Sequence, residues 1–119
     1  MIINNIFLKS KNIEVSEFMP TPKMKINMHR KNLMPTAPTG DRVQCQIDQN
    51  ILIQTENEKI LAAVKLSYII MITLQDEEYD QTAIADKAFS AVQAMILKDA
   101  NSLIRETNYP LLPITITVQ

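Results

Sequence analysis

From Val43 to Thr55 the chain alternates apolar and polar side chains. Val43, Cys45, Ile47, Ile51 and Ile53 fall on one side, and Gln44, Gln46, Asp48, Asn50 and Gln54 on the other. A period of two belongs to a strand with one buried face. The polar stretch Thr55-Glu56-Asn57-Glu58 follows. Lys59 to Leu74, rich in β-branched residues, then predicts a second strand returning as a hairpin across a longer loop. In that strand Ile60, Ala62, Val64, Leu66, Tyr68, Ile70, Ile72 and Leu74 share one side, while the other mixes Leu61, Ala63, Lys65, Ser67, Ile69, Met71 and Thr73.

Upstream, Ile6-Phe7-Leu8 and Ile13-Glu14-Val15 predict an earlier strand, and Met24, Ile26 and Met28 alternate with Lys23, Lys25 and Asn27 in another. Met19-Pro20-Thr21-Pro22 connects them, because proline removes a ladder donor and restricts the residue before it. Asn32 to Asp41, with Pro35, Pro38 and Gly40, is the longest loop. After Leu74 the period changes. Ala85, Ala88, Phe89, Val92, Met95, Ile96, Ala100 and Leu103 recur at three- and four-residue intervals, which predicts an amphipathic helix of about seven turns. Thr82 or Asp80 can cap its start, and Asn108-Tyr109-Pro110 ends it. In the tail, Leu111 to Gln119, Ile114, Ile116 and Val118 alternate with threonines, as in extended chain. The pattern is that of an α+β domain spanning residues 1–119: a four-stranded antiparallel sheet followed by one long helix and an extended C-terminal tail.

Length adds an argument about assembly. A compact monomer of 119 residues has a radius of gyration of about 14 Å, whereas the strand from Lys59 to Leu74 spans roughly 50 Å. Such a strand is expected to bend or to extend into a neighbour. Four strands make a sheet roughly 19 Å wide, and one helix covers about 10 Å of it. Apolar surface is left over, which points to a homo-oligomer, a dimer or a tetramer, or to a binding site for another chain.

Composition removes several chemistries. Gly40 is the sole glycine, so no glycine-rich phosphate cradle is expected. His29 and Cys45 are likewise alone, which leaves too little for nucleophile-and-base catalysis or a thiolate zinc site. No catalytic residue, metal or cofactor is assigned. His29, beside Arg30 and Lys31, reads as a surface histidine, and Cys45, on the apolar side of its strand, as a core thiol. Asp76, Glu77, Glu78 and Asp80 lack the spacing and the glycine of a calcium loop and read as a solvated approach to the helix. The first 42 residues hold seven basic and three acidic side chains, the rest five and ten, and the basic ones are dispersed without interleaved aromatics, so no nucleic-acid partner is expected. No apolar run is long enough for membrane insertion, and the start lacks a secretion signal, so a cytoplasmic location is expected.

Several short segments follow one another at a familiar spacing. They are Lys11-Asn12-Ile13-Glu14-Val15, Pro22-Lys23-Met24-Lys25-Ile26-Asn27-Met28, Ile60-Leu61-Ala62-Ala63-Val64, Ala94 to Ile104, and Tyr109-Pro110 with Pro113. They resemble, in order, the K-D-I-S-F, P-E-V-K-L-D-L, F-L-C-E-V, long-helix and F-P segments of the SecB-like family of export chaperones. Ile96 to Ser102 departs from the family's L-F-P-Y-A-R-E, and Ser67-Tyr68 from its paired glycines. The resemblance implies an ATP-independent holdase that binds unfolded or extended polypeptide through exposed apolar surface; the alternative is a non-chaperone structural or regulatory interaction protein that keeps the fold and serves one dedicated partner, such as a toxin-antitoxin or prophage protein. Acidic residues on the sheet dock the motor SecA in that family, but Asn27 and Ala63 occupy the matching positions here, followed by His29 and Arg30, so SecA binding is not expected. Candidate client contacts are Met24, Ile26, Met28, Ile69, Met71, Phe89 and Val92.

Overall fold

The computed structural model describes residues 1–18, 20 and 23–112. Four strands, β1 (Ile2–Val15), β2 (Lys25–Leu33), β3 (Arg42–Gln54) and β4 (Ile60–Thr73), precede one helix, α1 (Gln81–Ile104). All pairings are antiparallel and the sheet order is β1-β4-β3-β2, so the hairpin β3–β4 is central and β1 and β2 are its edges. The predicted fold class is the observed one. The expected extended tail falls largely on residues 113–119, outside the described residues. At its start, Leu112 is buried and donates its N–H to Asn101 Oδ1 at 2.8 Å, which lays the chain back along α1.

Register explains the core. Val43, Cys45, Ile47, Ile51 and Ile53 face Ile72, Ile70, Tyr68, Val64 and Ala62 across β3 and β4, and all ten are buried on the side that α1 covers. From the helix come Ile84, Ala85, Ala88, Val92, Ile96, Ala100 and Ile104, its one buried stripe. Tyr68 crosses the layer and donates its hydroxyl to Asp99 Oδ2 of α1 at 2.6 Å. Gln49 interrupts the apolar face of β3; it is buried, its Nε2 donates to the carbonyls of His29 and Asn50, and its Oε1 has no partner among the described residues.

Asp80 is the N-cap, its Oδ1 accepting from Thr82 N at 3.1 Å and Ala83 N at 3.2 Å. Arg105 closes the helix, earlier than Asn108-Tyr109-Pro110 suggested. The segment after it is instead pinned to the end of β1, Tyr109 donating to Glu17 O and Asn108 to Phe18 O.

Strand β1 breaks its own alternation. Register shifts between Ile3 and Asn5 and between Leu8 and Ser10 insert extra residues, so Ile6 and Leu8 (even) and then Ile13 and Val15 (odd) share the helix side. The expected mismatch between a long strand and a compact globule is resolved differently from the prediction. The domain itself is elongated, 52 × 24 × 22 Å with a radius of gyration of 16.2 Å. A 14-residue β4 therefore fits within one chain and need not reach into a neighbour.

Candidate functional site, the uncovered sheet face

Helix α1 packs on β4, β1 and β3 from one side, and no described element packs on the other. The register assigns that uncovered face row by row. Phe7, Ile69, Gln46 and Leu33 lie side by side across β1, β4, β3 and β2; Ser10, Ser67, Asp48 and Lys31 form the next row, and Asn12, Lys65, Asn50 and His29 the one after. Phe7 is 52% and Leu33 39% exposed, with Ile69 and Met71 half-buried beside them. Large apolar side chains are thus exposed to water on this face.

The seven candidate contacts do not form one surface. Ile69 and Met71 stand on the uncovered face. Met24, Ile26 and Met28 belong to the helix side near β2. Of these Ile26 is 42% exposed at the edge, Met24 is half-buried and Met28, only 6% exposed, is core. Phe89 is half-buried under Arg30, whose guanidinium carbon lies 4.2 Å from the ring centroid and whose Nη2 lies 3.7 Å from Asp86 Oδ1. Val92 is fully buried in the stripe of α1. Phe7 and Leu33 were missed by the sequence reading, since the register that sets Phe7 beside Ile69, and Leu33 beyond Gln46 in the same row, is not legible in a single strand. Phe18, exposed just beyond β1, was missed as well.

The remaining candidates separate too. His29 is exposed on the uncovered face, but Arg30 turns to the opposite side against α1. Asn27, bonded to Gln54, lies in a row with Leu52 and Ala63. Cys45 is buried, and desolvation pushes its thiol up to about 11, outweighing a backbone hydrogen bond that lowers it, so the reactive thiolate is scarce at neutral pH. In the acidic loop, Glu77 pairs with the amino group of Met1, which holds its carboxyl below the usual range. Among the described residues no three His, Cys, Asp or Glu side chains converge as a metal site. No described helix is long and apolar enough to cross a membrane.

No family model and no curated protein matches the chain. A solved structure does: the Mycobacterium tuberculosis Rv1957 SecB-like chaperone in complex with a ChAD peptide from the Rv1956 HigA1 antitoxin. It superposes with a TM-score of 0.79 over 99% of this chain and 91% of its own, at 17% sequence identity. The chain has the SecB-like fold. That likeness covers the sheet, the long helix and their order. In the Rv1957 structure a SecB-like scaffold holds an antitoxin peptide. At that identity the likeness extends to the fold alone.

Proposed function

We infer that this chain is a holdase-type chaperone that binds extended or unfolded polypeptide without ATP and without a chemical step. One observation carries the reading: Phe7, Leu33, Ile69 and Met71 are presented together on a sheet face that no described element covers. Affinity comes from apolar burial at roughly 25 cal/mol per Å². The reading places the protein in the cytoplasm, as a dimer or tetramer that also buries Ile26 and Leu8 at the sheet edges. SecA docking is no part of it, because Asn27 and Ala63 stand where the resembling family is acidic, which leaves Glu14 as the one carboxylate of the Glu14–Ala63–Leu52–Asn27 row.

A second reading has its own support. The Rv1957 structure contains a peptide from one antitoxin, and the same face on this chain can serve a single dedicated partner. Suppression of light scattering by several unrelated refolding proteins, at near-stoichiometric amounts and without ATP, separates the two. General holdase activity predicts suppression of all of them, weakened by Phe7→Ser with Met71→Ser. Failure on every client removes the general holdase, and the dedicated partner then leads.

A further inference from the structure

The uncovered face is not only apolar. Below the row of Phe7, Ile69 and Leu33, by one pleat period of about 7 Å, the sheet holds a shallow hollow of about 380 Å³ lined by Lys9, His29, Lys31, Lys65 and Asp48 among others. Its one carboxylate, Asp48, offsets one of the three lysine charges and leaves an excess of positive charge. Asp48 Oδ1 accepts from the Ser67 hydroxyl at 2.6 Å and from Gln46 Nε2 at 2.9 Å. Lys9 reaches the amide of Gln46 at 3.2 Å, and among the described residues neither Lys31 nor Lys65 forms an ion pair. A chain with a formal net charge of -1 thus concentrates positive charge beside its exposed apolar row.

We propose that this face docks a protein segment in which an acidic residue adjoins a bulky apolar one. The carboxylate enters the hollow among Lys9, Lys31 and Lys65, and the apolar side chain lies against the adjacent pair Phe7 and Ile69. The choice of an acidic protein segment rests on that adjacency: an anion lacking an apolar neighbour leaves the Phe7 row in water, and a basic segment meets like charge. The proposal rests on the peptide-binding reading above and specifies the chemistry of what is bound. Exposed charges fix the partner's register and speed its arrival more than they add affinity, so the preference is sensitive to salt.

The test is a fluorescence-anisotropy titration of the full chain with two labelled twelve-residue peptides. Both share a Leu-Phe-Leu centre, flanked by glutamates in one and by lysines in the other. At low salt the glutamate peptide is expected to bind about tenfold tighter, and the gap to narrow severalfold at 0.3 M salt. Lys31→Glu with Lys65→Glu, both at exposed positions, should reverse the preference, Lys31→Gln with Lys65→Gln should erase it, and Phe7→Ser should weaken both peptides alike. Equal binding of the two peptides, or a preference that survives charge reversal in a variant with unchanged circular dichroism, overturns the proposal. So does equal competition by a twelve-nucleotide oligothymidylate, which would make the site a general polyanion surface. A charge-reversed variant that changes its oligomeric state in light scattering also overturns it, since the face would then be an interface between copies. An acidic preference without aggregation suppression removes the general holdase and leaves this proposal standing; suppression without charge preference does the reverse.

Discussion

Tyr68 and Cys45 are adjacent strands' contributions to one buried layer, and both hold a proton more tightly folded than unfolded. Burial is the main cause for each, joined at Tyr68 by the hydrogen bond to, and the charge of, Asp99. Between pH 9 and about 11 the unfolded thiol has lost its proton and the folded one keeps it. The unfolded state then binds fewer protons, and stability falls as pH rises through that window. The loss is on the order of 1 to 3 kcal/mol from Cys45, with Tyr68 adding to it above pH 10. Urea unfolding at pH 7, 9 and 11 reads this directly. Cys45→Ala is expected to start less stable at pH 7 yet lose less between pH 9 and 11; an unchanged slope would mean the thiol does not titrate with unfolding. At neutral pH, Tyr68→Phe is expected to cost about 1 to 3 kcal/mol, because it leaves Asp99 without its buried donor. Which residues form this layer was legible in the alternation of Val43 to Ile53. That Tyr68 bonds Asp99 was not, since nothing in either segment reports where α1 crosses the sheet.

At the scale of elements, legibility followed regularity. Strands β3 and β4 alternate almost without interruption, and α1 keeps a single apolar stripe, so their limits were predicted within a few residues. Strand β1 was seen only as two fragments. Its two bulges shift the apolar parity twice, so a period of two never builds up over its full length. The same bulges produce the candidate site: the extra residue Lys9 reaches across to Gln46, and Phe7, off the helix side, is left facing water. The face was therefore partly hidden in the sequence, since Ile69 and Met71 read as the mixed side of one strand while their neighbours belong to another. The start of α1 is simpler. Asp80 accepts two otherwise unsatisfied backbone N–H groups, and no acidic residue lies within the first turn to share the task. Asp80→Ala is expected to lower global stability by about 1 kcal/mol, and Asp80→Asn by less, since the amide oxygen still accepts. Thermal unfolding of the two variants checks this, and equal losses would assign the effect to charge and the helix dipole instead of capping.

The whole molecule decides what the leftover apolar surface is for. The length of β4 does not by itself require assembly, because the elongated chain accommodates it. The sheet edges do invite it. Strands β1 and β2 are both sheet edges, and each brings an exposed apolar residue on the helix side, Leu8 at one and Ile26 at the other. An edge with unpaired backbone groups and adjacent apolar side chains invites strand pairing. Pairing through an edge buries Leu8 or Ile26 and leaves the face with Phe7, Ile69 and Leu33 free for a client, so the two demands on the surface do not compete. Assembly is thus expected to be separable from binding. Light scattering at tens of micromolar should give twice or four times the chain mass. Leu8→Lys or Ile26→Lys should shift it toward the monomer by placing a charge where two chains meet, while Phe7→Ser should leave it unchanged. The outcome that defeats this is a monomeric wild type, or a loss of assembly with Phe7→Ser, because in that case the uncovered face is itself the interface and the polypeptide-binding surface must lie elsewhere.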